Sequence, residues 1–225
     1  MSELARYDVR FVAQPPDPLD GRGDHAPWPE IQPLSELTIL GESDQKPDCR
    51  TTIKACFDAD NLYLHYHCVD PEIISTYTQR DQMLWEQDVV EAFVCPDGQL
   101  DRYFEFNFSP RAVIFDAIIT NPEIKRGPGF QFDKTWNADG LRLAAAGEGR
   151  LFGNSQTDKW WSVEAAIPFA DLNVSAPGDG QQWRINLFRI ERAGGREQYG
   201  TWSPIPQFGP GFHQADCFGV FVFRR

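Results

Sequence analysis

Alternation of apolar and polar residues at every second position is the feature that most restricts how this chain can fold. The pattern begins near Thr51 and recurs in short runs as far as the closing FGVFVF segment. In the clearest run, YFEFNFSP, phenylalanines occupy one strand face and mostly polar residues the other. The two sets are Phe104, Phe106 and Phe108, and Tyr103, Glu105 and Asn107. Because a period of two is that of a half-buried strand, we expect the phenylalanines to point into a core.

Several other runs share this alternation and are separated by Gly, Pro and Asp turns. They include DVVEAFVCP, WWSVEAAIP and QQWRINLFRIER, and the runs on either side of residues 58–61 indicate a β-hairpin. Helical periodicity is thin, since 72–84 and the IPFADL stretch each suit only a turn or two. The sequence therefore predicts an all-β fold, a jelly-roll-like sandwich of antiparallel sheets with few short helical turns.

The length and the first fifty residues bear on domain organisation. A chain of 225 residues suits one large β domain. The first fifty residues are rich in proline and lack periodicity, but they carry the apolar residues Trp28, Ile31, Leu34 and Leu37. We expect a single domain over 1–225 in which residues 1–50 wrap and cap the sandwich. The sequence GPGF occurs at both 127–130 and 209–212, which two Gly-Pro loops explain more simply than a duplication.

The net charge of −12 and the sequence pI of about 4.7 restrict the partners. Nucleic acid and anionic membrane surfaces would be repelled, because no run of Lys and Arg supplies a local basic patch. Neutral ligands such as sugars, and cations, remain open. The sequence does not identify a protein partner.

The N-terminus and the cysteines bear on localisation. The opening MSELARYDVRFVAQPP has no basic region followed by an apolar stretch, and no segment approaches transmembrane length. The five cysteines are odd in number, form no CxxC pair and fall mostly in apolar runs, which favours free thiols in a reducing compartment. The expected compartment is the cytoplasm by default, or the exterior if a signal had been trimmed.

Tryptophan and carboxylate side chains near DVVEAFVCP form the first candidate site. Trp85 precedes this strand, and Glu91 follows six residues later on the same parity. An indole can stack on the apolar face of a pyranose while a carboxylate accepts hydrogen bonds from its hydroxyl groups. Trp202, in YGTWSP, is the best candidate for a second stacking platform. The alternative is that both tryptophans fill the core and Glu91 is a solvated edge charge.

Other polar residues offer weaker candidates. The outward row with Glu105 and Asn107, together with Arg111, suits either the floor of a sugar cleft or an ordinary solvent face. Arg189 interrupts an apolar alternation, so it lies at a strand end or pairs with a buried acid. His65 and His67 share a strand face without a third metal ligand of diagnostic spacing. The acidic residues in 58–61, and Asp20 with Asp24, weakly resemble Ca²⁺-binding loops.

Catalytic motifs are scarce. The sequence contains no GxSxG, HExxH, P-loop or strand-associated GxGxxG. A glycoside hydrolase would need two carboxylates flanking one bond, and Glu91, Glu105 and Glu164 are the available acids. A hydrolase using such a pair is the enzymatic alternative.

The ordered motifs resemble the family 9 carbohydrate-binding modules and their DOMON-like relatives. The motifs are DGRGDHAPW, TTIKACFDADNLYLHYHCVD, LWEQDVVEAFVCP, YFEFNFSPR, WWSVEAAIPFADL, INLFRIER, YGTWSP and FGVFVF, spanning nearly the whole chain.

This resemblance implies non-catalytic binding of a mono- or oligosaccharide between two tryptophans, without a required cofactor but with structural Ca²⁺ in some members. It places Trp85 at the stacking position, Glu91 at the hydroxyl-bonding acid and Trp202 at the second stacking position, with Arg189 and Asn107 as lesser contacts. A free-standing chain of this kind can also have lost sugar binding. Related electron-transfer domains bind haem, for which Met83 with His65 or His67 are the available axial ligands.

Overall fold

The computed structural model describes residues 4–154 and 156–225, and within them the chain is almost entirely β-structure. The strands are β1 (Arg6–Phe11), β2 (Thr38–Ile39), β3 (Thr51–Phe57), β4 (Asn61–Val69), β5 (Val89–Cys95), β6 (Arg102–Phe108), β7 (Ile114–Thr120), β8 (Gln131–Asp133), β9 (Arg142–Glu148), β10 (Trp160–Pro168), β11 (Gln182–Glu191), β12 (Gln198–Thr201) and β13 (Gly219–Arg224). Short 3-10 turns lie at Trp28–Glu30, Leu84–Glu86, Arg150–Phe152, Ala193–Gly195 and Ala215–Cys217. Within the described residues, no helix is long and apolar enough to cross a membrane.

The strands form one curled mixed sheet in the order β8-β7-β6-β5-β11-β13-β1-β3-β4-β10-β9, with β12 and β2 attached beside β11. We call β8-β7-β6-β5-β11 sheet I and β3-β4-β10-β9 sheet II; β13 and β1 join them. Within each of these sheets the neighbouring strands are antiparallel, whereas β1 runs parallel to both β13 and β3. The prediction of an all-β sandwich is confirmed, with two parallel pairs at the junction of the sheets.

The inner faces of the two sheets enclose the main core. Phe104, Phe106 and Phe108 of β6 lie in this core, as their alternation predicts, together with Val90 of β5 and Val163 of β10. The Tyr66 hydroxyl of sheet II donates a hydrogen bond to the Glu91 backbone carbonyl of sheet I, at 2.9 Å. Each strand therefore directs the residues at every second position, which are the apolar ones, toward this core.

The N-terminal segment covers the outer face of sheet II. Val12, Trp28 and Ile31 pack there against Cys56 and Tyr63. The backbone at Gly21 (φ +81°) lies so close to β9 that a Cβ would be 2.5 Å from the carbonyl carbon of Ala145. A glycine is needed at this point for both the left-handed conformation and the close approach. The proline-rich segment is thus part of the fold and closes one side of the sandwich.

The outer face of sheet I is covered by loops instead of one continuous segment. Leu40, Leu84, Phe212 and Phe218 pack over its outward side chains in a second apolar cluster. These loops come from distant parts of the sequence, and between them they leave a cavity above β5, β6 and β7.

Candidate functional site

A cavity of about 360 Å³ lies on the outer face of sheet I. Its floor is formed by outward side chains of neighbouring strands: Glu91 and Phe93 from β5, Glu105 from β6, Phe115 from β7 and Ile190 from β11. This volume is at the lower end of the range of about 300–1,000 Å³ that small-molecule sites occupy. The floor combines apolar rings with two acids, which suits a small ligand that has both apolar and polar faces.

Strand register sets the order of the floor residues. Glu91 pairs with Asn107, which in turn pairs with Phe115. Glu105 lies in the next outward row, where it pairs with Phe93. Glu91 and Glu105 are therefore diagonal neighbours on adjacent strands, close enough for their side chains to interact.

The two acids are buried and poorly paired. Glu91 is 2% exposed and Glu105 is 7% exposed. The Asn107 side-chain amide donates a hydrogen bond to Glu105 Oε1 at 3.1 Å. Within the described part of the chain, the Glu91 carboxyl group accepts no hydrogen bond and forms no ion pair. Both carboxyl groups thus line a cavity with much of their hydrogen-bonding capacity unused.

Burial determines the protonation of this pair. Burial, and then the neighbouring Glu105 charge, raise the pKa of Glu91 well above its usual value. Burial also raises the pKa of Glu105 to about 7, against the opposing effects of the Asn107 hydrogen bond and of Arg126. Because two carboxylates this close repel each other, the pair tends to retain a proton at neutral pH.

Aromatic side chains form the walls and the rim. Trp85 is half-buried and packs edge-on against Phe115, with ring centroids 5.0 Å apart. At the rim, Phe208 is 60% exposed and Phe132 is 51% exposed. Tyr199 lines the wall beneath Phe208, at a centroid distance of 5.7 Å. The indole of Trp85 is thus held at a fixed angle while part of it faces the cavity.

The two GPGF loops meet at this cavity. Phe130 ends the first loop, and its ring lies 4.7 Å from that of His213, the residue that follows the second loop. Gly129 and Gly211, at equivalent positions in the two loops, have φ values of +82° and +66°. Such left-handed backbone favours glycine, so the repeated sequence encodes a repeated local conformation. Phe212, which ends the second loop, stacks on Phe188 of β11 at 4.2 Å.

His213 completes the end of the cavity opposite Trp85. Its ring stacks on Phe93 at 4.9 Å, and its Nδ1 is 2.8 Å from the Tyr103 hydroxyl. Burial and the nearby Arg126 lower the pKa of His213 to about 3, so the imidazole is neutral at physiological pH. Since Trp85 contacts the Glu91 row and His213 contacts the Glu105 row, the acids lie between these two side chains.

Three of the residues singled out from the sequence come together in this cavity. Trp85, Glu91 and Glu105 all line it. Asn107 is fully buried behind them and contacts Glu105, so it supports the acid pair from the floor. Arg111 lies outside the lining, where its Nε donates to the Ser75 carbonyl at 2.7 Å.

Trp202 does not lie at the cavity, which corrects the expectation of a second stacking platform at this position. It is 1% exposed and packs in the main core against Phe221, with ring centroids 5.3 Å apart. Gly219 makes room for it, since a Cβ there would lie 2.5 Å from the indole. A side chain enclosed in this way has no free face to offer a sugar.

Arg189 is likewise structural, which corrects its assignment as a ligand contact. It is 1% exposed, and its guanidinium pairs with Glu191 and with Asp70, the latter at 3.3 Å. It also donates to the Val69 carbonyl at 2.9 Å. The second sequence-based alternative, a pair with buried acid, is the one that the structure shows.

Glu164 is also occupied by the fold. Its carboxylate accepts backbone N–H groups of Asp20 at 3.1 Å and of Gly23 at 2.8 Å. It therefore anchors the DGRGD loop on the outer face of sheet II, on the opposite side of the sandwich from Glu91 and Glu105. The structure does not bring it together with either acid as a hydrolase pair.

The proposed haem ligands are separated by the two sheets. His65 packs against Trp28 on the outer face of sheet II, with ring centroids 5.5 Å apart, and His67 stacks on Trp160. Met83 is 49% exposed in the turn before β5, next to the cavity residues of sheet I. The arrangement gives no axial pair from these three residues.

Two groups of side chains in the described residues bring possible metal ligands within 4.8 Å of one another: Asp20, Asp24 and His25, and the buried Asp70, Asp88 and Glu191. In the second group, Asp70 and Glu191 already pair with Arg189, and both Asp88 oxygens accept backbone N–H groups. Each group supplies three side-chain ligands, so backbone carbonyls or water would have to complete the about six to eight oxygen ligands that Ca²⁺ prefers. In the 58–61 turn, Asp58 accepts the N–H groups of Asp60 and Asn61.

Sequence reasoning missed most of the cavity wall. Arg126, Phe130, Tyr199, Phe208, Phe212 and His213 line it, and all but Tyr199 lie in irregular segments. Their one visible signal was the repeated GPGF, since two identical loops indicate a shared conformation. That signal did not show that the loops meet.

The fold and the cavity define a class of protein, a β-sandwich domain with a ligand cavity on the outer face of one sheet. The chain belongs to the carbohydrate family 9 binding domain-like family, whose model matches residues 19–224. This confirms the resemblance to the family 9 carbohydrate-binding modules that was drawn from the ordered motifs.

Individual relatives agree with this placement. An extracellular protein of Arthroderma benhamiae is 30% identical over 191 residues, covering 80% of this chain and 81% of that protein. A putative carbohydrate-binding protein from Bacteroides uniformis has a TM-score of 0.76 at 18% identity, covering 98% of this chain and 100% of that one. A family 9 module from Caldicellulosiruptor kristjanssonii in complex with cellotriose has a TM-score of 0.64 at 15% identity, covering 97% and 93%. The same module in complex with glucose has a TM-score of 0.65 at 14% identity, covering 97% and 95%.

Proposed function

We propose that this chain is a non-catalytic sugar-binding domain whose ligand occupies the cavity on the outer face of sheet I. The observation that carries the proposal is one arrangement: the partly exposed indole of Trp85 beside the carboxyl groups of Glu91 and Glu105. A pyranose has an apolar C–H face and an edge of hydroxyl groups. Trp85 suits the first and the acids suit the second.

The cavity dimensions and its other walls support this proposal. A volume of about 360 Å³ accommodates a mono- or short oligosaccharide end, not a long chain lying flat. In place of Trp202, we assign the second apolar wall to the rim phenylalanine Phe208, which is 60% exposed. Its position beside Tyr199 gives the ligand an aromatic surface distinct from Trp85.

The family relationship also supports sugar as the ligand class. The matching family is described as carbohydrate-binding, and one solved relative is in complex with cellotriose in one structure and with glucose in another. Weak affinity is expected, because a few hydrogen bonds and one or two stacking contacts must offset the ordering of the ligand.

The test is a binding screen on mono- and oligosaccharides followed by calorimetry, with wild type beside Trp85→Ala. We expect at least one sugar to bind and Trp85→Ala to weaken that binding by about tenfold or more, because the variant loses both the buried contact area and a stacking contribution of about 0.5–1.5 kcal/mol. The ligand should be recovered intact, because the proposal is for binding without turnover.

Trp160→Ala is the matched control. Trp160 is also a half-buried tryptophan, but it stacks on His67 at 5.1 Å, away from the cavity lining. It should leave sugar affinity unchanged. If no sugar in a broad panel bound, or if wild type and Trp85→Ala bound sugar equally well, the proposed function at this cavity would be overturned.

A further inference from the structure

When both acids on the cavity floor are ionised, they carry more negative charge than their surroundings compensate. Glu91 and Glu105 are nearly fully buried, and the Glu91 carboxyl group has no hydrogen-bond partner among the described residues. A buried acid without a partner is costly as a carboxylate, so it retains a proton or takes a cation. A ligand that brings a cation to this point would satisfy groups that the protein leaves unsatisfied.

The other ionisable groups around the cavity do not supply this cation. His213 is neutral at physiological pH, and Tyr103 is a phenol whose pKa is raised by burial. Among the described residues, Arg126 is the one cationic side chain in the lining; it lies over the Phe130 ring at 5.3 Å and is exposed to solvent. When both acids are ionised, two carboxylates against one guanidinium leave a single negative charge.

We infer that the preferred ligand is an amino sugar, whose ammonium group lies between Glu91 and Glu105 while its ring stacks on Trp85. The inference rests on the proposed function, since it names the sugar class for the same cavity. An ammonium has three N–H donors, and Glu91 offers acceptors that nothing else in the described structure uses. The ammonium would take the place of the proton held by the pair.

The remainder of the cavity agrees with a monocation on a sugar ring. The aromatic side chains Phe115 and Tyr199 also line the cavity, and ring faces attract ammonium groups. A ligand with a carboxylate would instead bring a third negative charge to the floor. The overall charge of −12 further favours a cationic over an anionic sugar during association.

The experiment compares three sugars of one skeleton by calorimetry at a pH of about 6.5, at which the amine carries its proton. The probes are glucosamine, glucose and N-acetylglucosamine. We expect glucosamine to bind about ten- to hundredfold more tightly than the two neutral sugars, because its hydrogen bonds to the acids are charge-assisted. Binding should also release protons to the buffer, since the ammonium displaces the shared proton.

Glu91→Gln and Glu105→Gln keep the side-chain shape and remove the charge, and each should abolish most of the preference for glucosamine. Glu123→Gln is the matched control, since it removes an exposed acid from the loop that carries Arg126 and Phe130 without altering the cavity lining. Thermal melting checks that each variant is folded.

Each outcome separates the two proposals. Tighter glucosamine binding that is lost in Glu91→Gln, but kept in Glu123→Gln, supports the amino-sugar assignment. Equal affinities for glucose and glucosamine, or an unchanged preference in both Glu91→Gln and Glu105→Gln, would overturn this assignment and leave sugar binding in place. No binding of any of the three sugars, with no other sugar bound in the panel, would overturn both.

Discussion

Two strands of this sandwich carry the same tripeptide, Val-Glu-Ala, and use its glutamate in opposite ways. In β5 the glutamate is Glu91 and in β10 it is Glu164. Both have flanking valine and alanine side chains in the main core, and both glutamates point to the outer face of their sheet, where they are buried. The local sequence and the strand geometry are therefore equivalent at the two sites.

What differs is the cover over each sheet. Over sheet II the N-terminal segment brings two backbone N–H groups directly to the Glu164 carboxylate. Over sheet I separate loops leave a cavity, where the charged neighbour of the Glu91 carboxyl group is another acid, Glu105. The role of a buried acid is therefore set by the backbone donors that reach it from elsewhere in the chain. A satisfied acid holds the fold, and an unsatisfied one is available to a ligand.

Removing the cover should have the largest effect, and it should fall on stability. Trp28 is a fully buried residue of the N-terminal segment; its ring packs on His65, and its backbone carbonyl accepts a hydrogen bond from the Lys54 ammonium. Trp28→Ala should lower the free energy of unfolding by about 3–5 kcal/mol, as for other buried aromatic residues truncated to alanine. Urea denaturation measures this loss.

Measuring the sugar affinity of Trp28→Ala tests whether the outer faces of the two sheets are independent. The folded fraction of Trp28→Ala should bind sugar as wild type does, because Trp28 and the cavity lie on opposite outer faces. If this variant lost as much affinity as Trp85→Ala, the two faces would not be independent.

Most of the fold could be predicted from the alternation of apolar and polar residues. Phe104, Phe106 and Phe108 predicted their own inward direction because strand periodicity is a local property. The parallel pairing of β1 with β13 and β3 was not predictable, because it joins the first strand to the last across the whole chain.

The site could be predicted only where its residues lie close together in the sequence. Trp85 and Glu91 lie six residues apart next to one strand, so their proximity was visible in the sequence. The sequence also indicated Trp202 as a stacking platform. Its burial could not be predicted, because it depends on Phe221 and on the space left by Gly219, both distant in the chain. The GPGF repeat was visible in the sequence. That the two loops meet at one cavity was not visible, because it depends on how the strands between them pair into a sheet.

We expect the free energy of unfolding to depend on pH through Glu91 and Glu105, and less strongly through Glu164, whose carboxylate accepts backbone N–H groups. The folded pKa of Glu105 is about 7 and that of Glu91 is also raised, so the folded state holds more protons than the unfolded state above a pH of about 4.5. Their contribution to stability is present below that pH and is lost as pH rises through about 7. Glu91→Gln removes the repulsion, so its stability relative to wild type should improve by about 1–2 kcal/mol between about pH 5 and 8.

Urea denaturation of both proteins across this pH range measures that difference and cancels the contribution of other raised acids, such as Asp88. The same series on Glu123→Gln should run parallel to wild type, because Glu123 is exposed. Parallel curves for Glu91→Gln and wild type would mean that Glu91 titrates alike in the folded and unfolded chain, and would break the contrast between the two glutamates.

The smallest expected effect concerns the loop that closes the cavity at its His213 end. Gly211 has φ +66°, and a Cβ there would have no atom within 4 Å, so Gly211→Ala introduces backbone strain without a clash. Relieving about 1 kcal/mol of strain should displace Phe212 and His213 and weaken sugar binding by about two- to fivefold. Gly153→Ala is the control, because Gly153 has φ +70° and equally open space but lies after β9. Both variants should lose similar stability in urea denaturation, and calorimetry should find reduced affinity in Gly211→Ala alone. Equal affinities in the two variants would mean that the GPGF loop merely covers sheet I, as the N-terminal segment covers sheet II.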